Sequence, residues 1–351
     1  MVLMDTIGII REITMATILE LSERCGVSVS TVSKALNGYS DISDKTRELV
    51  LRTANEVGYF PNANARALKL KKTYNIGVLF STYSNLGLRN DYFAHILSAF
   101  REEASQSGYD ITFIEHHIGR RKMTYLEHCQ YRHFDGVCIV CAEYESDEVI
   151  KLAESDLPVV TIDHAFQKAY SIISDNYGGM KMLANYIIRQ GHSRVAMIHG
   201  NKTLVTRNRI EGFLDAMKDH QITVPKEYIV EGLYRNQVLT EELTTNLLKL
   251  KNHPTCIIAP DDQSSVGVIN AIRRSGLQVV KDISVAGYDG LESQQMTSVK
   301  VTTVKQERDK IGREAARKLI QMIENPQDRL QDTVFMKQTL LVGNSIRKIV
   351  T

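Results

Sequence analysis

The stretch Ser22-Glu23-Arg24-Cys25-Gly26-Val27-Ser28-Val29-Ser30-Thr31-Val32-Ser33-Lys34-Ala35-Leu36-Asn37-Gly38 reads as helix, glycine turn, helix. Ile18, Leu21 and Cys25 recur at helical spacing and face a small core. Gly26 supplies the positive φ of a tight turn, and Ser28 is placed to cap the second helix. Val32, Ala35 and Leu36 turn inward, which leaves Val29, Ser30, Thr31, Ser33 and Lys34 outward. A third helix starts at Ser43, with Asp44 in its first turn and Leu49, Val50, Ala54 and Val57 on its apolar face, and ends at Gly58. Three helices of this size make a marginal core. Small outward hydroxyls let a helix enter a DNA major groove about 12 Å wide, and Lys34 is long enough to reach a guanine edge or a phosphate.

The flanking sequence supports a nucleic-acid reading. Residues 57–90 contain no Asp or Glu, whereas Arg66, Lys69, Lys71, Lys72 and Arg89 are basic; such a stretch beside a groove helix suits phosphate contact, and its plainer reading is a solvated linker. Pro61 ends what precedes it, and Asn62 can cap a short alanine-rich helix through Ala65 and Leu68. Helices below about 12 residues are marginal in isolation, so this segment is expected to form only when held.

Whole-chain properties set the frame. With 351 residues, 43% hydrophobic and 24% charged, the chain is long enough for two or three domains with real cores. The net charge of +2 says little. Five cysteines, no secretory-type leader and no apolar run of membrane-spanning length point to a cytoplasmic chain with reduced thiols and no membrane partner. Residues 1–14 read as an extension, with Met15 as an alternative start.

From Tyr74 onward apolar strands alternate with amphipathic helices, which implies parallel α/β layers. The first series contains Ile76-Gly77-Val78-Leu79-Phe80 and the strands of residues 109–115, 136–142 and 158–163. The second contains Ile172-Ile173-Ser174, Val195-Ala196-Met197-Ile198 and the strands of residues 228–231, 256–259 and 283–286. About five strands each make two similar lobes, with ligand expected beyond the carboxyl ends of the strands, in the cleft between them. Asp163, Asp261 and Asp289 each close a strand and Arg209 opens a helix; carboxylates and guanidinium together satisfy the hydroxyls of a polyol. The plainer role for each Asp is to cap the next helix or loop.

Other constellations carry less. Cys138-x-x-Cys141 falls on a buried strand without a second pair and reads as packed thiols. His116, His117, His128, Cys129 and His133 fit no usual zinc spacing. No Gly-x-Gly-x-x-Gly follows the first strand and no Walker A loop, serine nucleophile elbow or zinc-protease motif occurs. No cofactor, metal or catalytic residue is therefore expected, and the chain is not read as an enzyme.

The N-terminal motifs, Gly26-Val27-Ser28 with Thr31-Val32-Ser33, Asn37, Ser43-x-Lys45-Thr46-Arg47, Gly58-Tyr59-x-Pro61-Asn62 and Ala65-x-x-Leu68, resemble the headpiece and hinge of the LacI/GalR family of bacterial transcription regulators. The resemblance continues through Asn90-Asp91-Tyr92-Phe93, Asp175-Asn176, Gly191-His192-x-Arg194-Val195, Arg209-x-x-Gly212-Phe213, Asp261-Asp262 and Asp282-Ile283-Ser284-Val285-x-Gly287-Tyr288-Asp289, and so covers residues 17–342. It implies a three-helix DNA-binding headpiece followed by an α/β two-lobed effector domain like a periplasmic binding protein. The implied organisation is an extension (1–14), a helix-turn-helix domain (15–60), a hinge helix and linker (61–73), an N-lobe (74–173 and 305–332) and a C-lobe (174–304 and 333–351).

On that resemblance, Val29, Ser30 and Lys34 read bases, and Leu68 wedges into the minor groove. Thr17, Ser28, Thr31, Ser33, Asn37, Ser43, Tyr59, Asn62 and Ala65 complete the DNA surface. Tyr92, Phe93, Asp163, Arg209, Tyr234, Asp261 and Asp289 form the effector site, although Gly232-Leu233-Tyr234 lacks the acid of the family's Gly-Asp-aromatic run. The implied function is a homodimeric repressor on a pseudo-palindromic operator, controlled by a small molecule, expected to be a sugar or sugar derivative. The rival reading is a solute-binding receptor without a transcriptional role.

Overall fold

The computed structural model describes residues 16–60, 72–81, 87–291, 298–327 and 331–349. The expectations for Met15, for the hinge residues Asn62, Ala65 and Leu68, and for the basic residues Arg66, Lys69 and Lys71 lie outside them. The chain divides into two units between Thr73 and Tyr74.

In the first unit, α1 (Ile18–Cys25), α2 (Val29–Leu36) and α3 (Asp44–Val57) each begin on a hydroxyl cap. The side chains of Thr17, Ser28 and Ser43 accept the backbone N–H groups of Glu20, Thr31 and Thr46, satisfying donors a helix start leaves open. Gly26, at φ 64°, ends α1 in the left-handed conformation and turns the chain into α2. Leu21, Cys25, Val32, Ala35, Val50 and Ala54 are buried together, with Ile18, Leu36, Leu49, Val57 and Tyr59 packed around them.

The second unit runs β1 (Asn75–Phe80), α4 (Asp91–Gln106), β2 (Asp110–Phe113), β3 (His117–Ile118), β4 (Arg121–Lys122), α5 (Tyr125–Arg132), β5 (Gly136–Cys141), α6 (Asp147–Ala153), β6 (Val159–Ile162) and β7 (Tyr170–Ser174). It continues through α7 (Asn176–Arg189), β8 (Val195–His199), α8 (Leu204–Asp219), β9 (Ile229–Glu231), α9 (Gln237–Leu248), β10 (Cys256–Ile258), α10 (Ser265–Arg274) and β11 (Ser284–Ala286). It closes with β12 (Thr303–Lys305), α11 (Arg308–Glu324), β13 (Thr333–Met336) and β14 (Thr339–Leu341). One parallel sheet has the order β13-β7-β6-β5-β1-β2, and a second has β11-β10-β8-β9. Both faces of each sheet are covered. Ile76, Val78, Cys138, Val140, Val160 and Ile162 pack on one side of the first sheet, and Leu79, Val137, Ile139 and Val159 on the other. Val195 and Met197 face one side of the second, and Ala196 and Ile198 the other. The period of two with both faces buried is what a parallel sheet between helices requires.

The sheets hold six and four strands, not five each; the strand counted first in the second series lies in the N-lobe, in line with the boundary at residue 173, and residues 333–336 fall in a different lobe from the one expected. Ile172-Ile173-Ser174 belongs to β7 in the first sheet, where it pairs with β6. Residues 333–336, placed in the C-lobe from sequence, form β13 and pair with β7 in the N-lobe sheet, Thr333 against Ser171 through Met336 against Ser174. Val334 and Met336 pack on the N-lobe core, whereas Leu340 of β14 packs on the C-lobe core; the last crossing between lobes therefore lies between β13 and β14. Cys138 is fully buried, and burial pushes the Cys141 thiol up to about 12. Among the described residues no group of three or more His, Cys, Asp or Glu side chains is placed to hold a metal ion, and no helix is long and apolar enough to cross a membrane.

Candidate functional site

The headpiece and the cleft each carry a candidate surface. On α2, Ser28, Val29 and Ser30 are exposed, while Thr31, Ser33 and Lys34 are half-buried along the same helix. Several of the residues assigned to DNA contact have structural partners, among them the caps Thr17, Ser28 and Ser43. The side-chain amide of Asn37 donates to the Ser33 carbonyl at 2.7 Å. Tyr59 packs against the headpiece core, and burial raises its hydroxyl pKa. Lys34 is paired with Asp41, both side chains largely in solvent, and that hydrogen bond holds the Asp41 carboxyl below its usual range. An exposed ion pair is weak, so Asp41 holds the ammonium only loosely. The sequence reading missed Asp41 because it lies past the end of α2, in the loop before α3, where helical periodicity says nothing.

In the second unit the strand ends converge as parallel topology dictates. Asp163 follows β6 and accepts the Tyr92 hydroxyl at 2.9 Å and the Ser174 N–H at 2.9 Å. Tyr92 is buried in the N-lobe core, so its ring packs inside the protein and its hydroxyl orients Asp163. Phe93 is half-buried, edge-on to Phe80 and Tyr92 with ring centroids 5.4 and 5.1 Å away. From the C-lobe, Arg209 donates from Nε to Asn176 Oδ1 at 2.9 Å and lies 3.9 Å from Asp289 Oδ1. Its guanidinium covers the Tyr288 ring at 3.6 Å and the Tyr234 ring at 5.6 Å. The Tyr234 hydroxyl is 2.8 Å from Thr206 Oγ1. Gly200 admits the Tyr234 ring: a Cβ there would sit 2.1 Å from it.

Burial raises Asp163, opposed by the Ser174 and Tyr92 hydrogen bonds and by the charge of Arg209 from the facing lobe. Burial pushes the Asp289 carboxyl up to about 6, with Arg209 pulling it back and Asp261 adding repulsion. Asp261 is spent inside the protein. Its oxygens accept the Ser264 N–H at 2.8 Å, the Ser264 hydroxyl at 3.1 Å and the Arg235 N–H at 2.6 Å. It caps and positions a loop, the plainer of the two roles open to it. Asp163, Arg235 and Asp289 all hold positive φ angles, 57°, 59° and 105°, the kind of strain that collects at ligand clamps.

The sequence reading brought Asp163, Arg209, Tyr234 and Asp289 to one place and missed the residues that hold them, Asn176, Tyr288 and Ser174, as well as Arg235, whose backbone N–H bonds Asp261. Gln306 was missed too, although its amide donates to Asp289 Oδ1 at 2.7 Å. Asn176 and Tyr288 lay inside recognised motifs; nothing local marked Gln306 or Arg235.

Comparison with known proteins matches this division. Residues 17–62 fit the family of bacterial regulatory proteins of the lacI type, and residues 76–339 fit the periplasmic binding proteins and sugar binding domain of the LacI family. The HTH-type transcriptional repressor PurR of Actinobacillus pleuropneumoniae serotype 3 (strain JL03) is 30% identical over 341 residues, which cover 95% of this chain and 99% of that protein. The lac repressor dimer bound to operator and the anti-inducer ONPF superposes with a TM-score of 0.81 at 24% identity, covering 95% of this chain and 100% of that one. The transcriptional regulator CelR in complex with cellobiose superposes with a TM-score of 0.68 at 23% identity, covering 94% and 99%. The chain belongs to the LacI family of bacterial regulatory proteins, as a ligand-responsive, DNA-binding transcriptional repressor and not an enzyme.

Proposed function

We propose that the cleft takes a hydroxyl-rich small molecule, a sugar or sugar derivative, and that its occupancy controls the binding of a cytoplasmic homodimer to a pseudo-palindromic operator. The observation that carries the effector class is the buried set around Arg209. A guanidinium donor and the Asp289 carboxylate acceptor stand 3.9 Å apart beside the Tyr288 and Tyr234 rings. Paired donors and acceptors read adjacent hydroxyls, and an aromatic face packs the apolar side of a sugar ring. Asp163 adds an acceptor from the other lobe, with Tyr92 as its positioning partner and Phe93 beside it. The cellobiose held by the CelR relative and the ribose held by an Enterococcus faecium relative support the same class.

On the DNA side, Val29, Ser30 and Lys34 read the major groove, and Leu68 of each protomer wedges the minor groove between half-sites. The weak helix of residues 62–70 orders on DNA, and closure of the lobes shifts that order–disorder balance.

A thermal-shift series on the full chain with sugars, sugar phosphates and nucleobases tests the effector class. A sugar at about 100 times its Kd raises the melting temperature of the cleft unit by about 5 °C, and Arg209→Gln abolishes the rise. A shift with a nucleobase and with no sugar overturns the assignment.

A further inference from the structure

Arg235 is where the two walls of the cleft touch. It follows β9 in the C-lobe, while its side chain reaches the start of α4 in the N-lobe. Nη1 donates to Asn90 Oδ1 at 3.0 Å, and Nη2 lies 3.7 Å from Asp91 Oδ2. The Arg235 side chain is 8% exposed, and among the described residues its Nε has no partner. The backbone holds a left-handed φ of 59°, fixed by the bond from its N–H to the carboxylate of Asp261, which is 1% exposed. That arrangement gives Asp261 a purpose: it secures a strained turn that aims a cation across the cleft.

The far end of the contact is equally connected. Asn90 Oδ1 also accepts the Tyr92 N–H at 3.1 Å as the cap of α4, and the Tyr92 hydroxyl donates to Asp163. One chain of bonds thus runs from Asp261 through Arg235 and Asn90 to the N-lobe wall. We propose that Arg235 is a positioning residue of the cleft, a latch whose guanidinium ties the N-lobe to the C-lobe and sets the closure at which ligand is held between Asp163 and Arg209. This rests on the cleft being the effector site. The latch has two arms of different character. The Asn90 bond is charge-assisted and shielded, whereas Asp91 is 59% exposed, so its share is screened by salt.

The test is a distance measurement on the full chain without ligand. Nitroxides at Glu145→Cys, which follows β5, and Lys202→Cys, which follows β8, report lobe separation by pulsed electron resonance, with the chain lacking both substitutions as the labelling blank. Loss of a charge-assisted hydrogen bond shifts an open-to-closed ratio roughly tenfold, so Arg235→Ala populates longer distances. Arg235→Lys, which keeps the charge, restores most of the short population. Should Arg235→Ala fail to fold, Asp91→Asn on the surface of the other lobe gives a smaller lengthening, visible at about 0.02 M salt and absent at about 0.5 M. Distributions for Arg235→Ala, or for Asp91→Asn at low salt, that superpose on the parent overturn the latch. Because no ligand is present, that result leaves the effector reading standing, and a flat thermal-shift series leaves the latch standing.

Discussion

Arg209 is 5% exposed, and a charge so placed needs partners. It has Asn176, Asp289, the Pro260 carbonyl and the Tyr288 ring. Asp289, in turn, titrates near 6, where its ordinary value is 3.8. A ligand hydroxyl that donates to this carboxylate loses its acceptor when the group protonates. Effector affinity is therefore expected to fall as pH drops through about 6, and isothermal titration with Asp289→Asn to show a weak affinity that no longer varies across that window. The effect on stability has the opposite sense. The folded pKa of Asp289 exceeds the unfolded one, so between about 6 and 3.8 the native state binds more protons and gains stability as pH falls. His192 opposes this: burial between Thr255 and the Arg347 carbonyl lowers it from 6.5 to about 4. The unfolded chain then binds more protons between those values, and stability is lost as pH falls. Arg209 and Asp289 were legible in the sequence because both sit in recognised motifs, Asp289 after a strand and Arg209 on a helix, although that helix begins at Leu204, five residues before it. Gln306 was not, since its contact to Asp289 joins residues 17 apart across a crossover, a separation no periodicity reports. Asp261 was legible as a strand-end acid, but only the bond to the Arg235 N–H tells a loop-holding carboxylate from a ligand-facing one.

At the scale of elements, the headpiece is assembled from caps and one small apolar cluster. Each cap therefore weighs heavily against a core this size. Ser43→Ala removes the bond to the Thr46 N–H and is expected to cost about 1 kcal/mol, read as roughly fivefold faster hydrogen exchange of the α3 amides that open with the headpiece. Exchange in the cleft unit stays as in the parent. The three headpiece helices were legible almost to the residue because Thr17, Ser28 and Ser43 begin them and Gly26 and Gly58 end two of them. The lobe membership of β13 was not legible. The alternation in Thr333-Val334-Phe335-Met336 fits an edge strand of either sheet, and only pairing with β7, with Val334 and Met336 on the N-lobe core, decides it. Sheet assignment is a long-range property, set by where the chain crosses and not by the local pattern.

At the scale of the whole molecule, a marginal headpiece is joined in sequence to a cleft domain with four extensive apolar clusters. Stability unevenly distributed in this way suits a regulator, because a less stable part can respond while the cleft domain stays folded. The ligand acts only through its preference for one lobe arrangement over another, and Arg235 contributes to that preference from inside the cleft. The central claim is that cleft occupancy and operator binding are one linked equilibrium. Operator affinity of the full chain, measured by fluorescence anisotropy with and without the sugar that raises the melting temperature most, tests it directly, with Arg209→Gln alongside. The expected result is a change of about tenfold or more in the parent and none in Arg209→Gln, whose ligand-free affinity matches the parent. An operator affinity in the parent that does not move when the cleft is saturated would contradict the account.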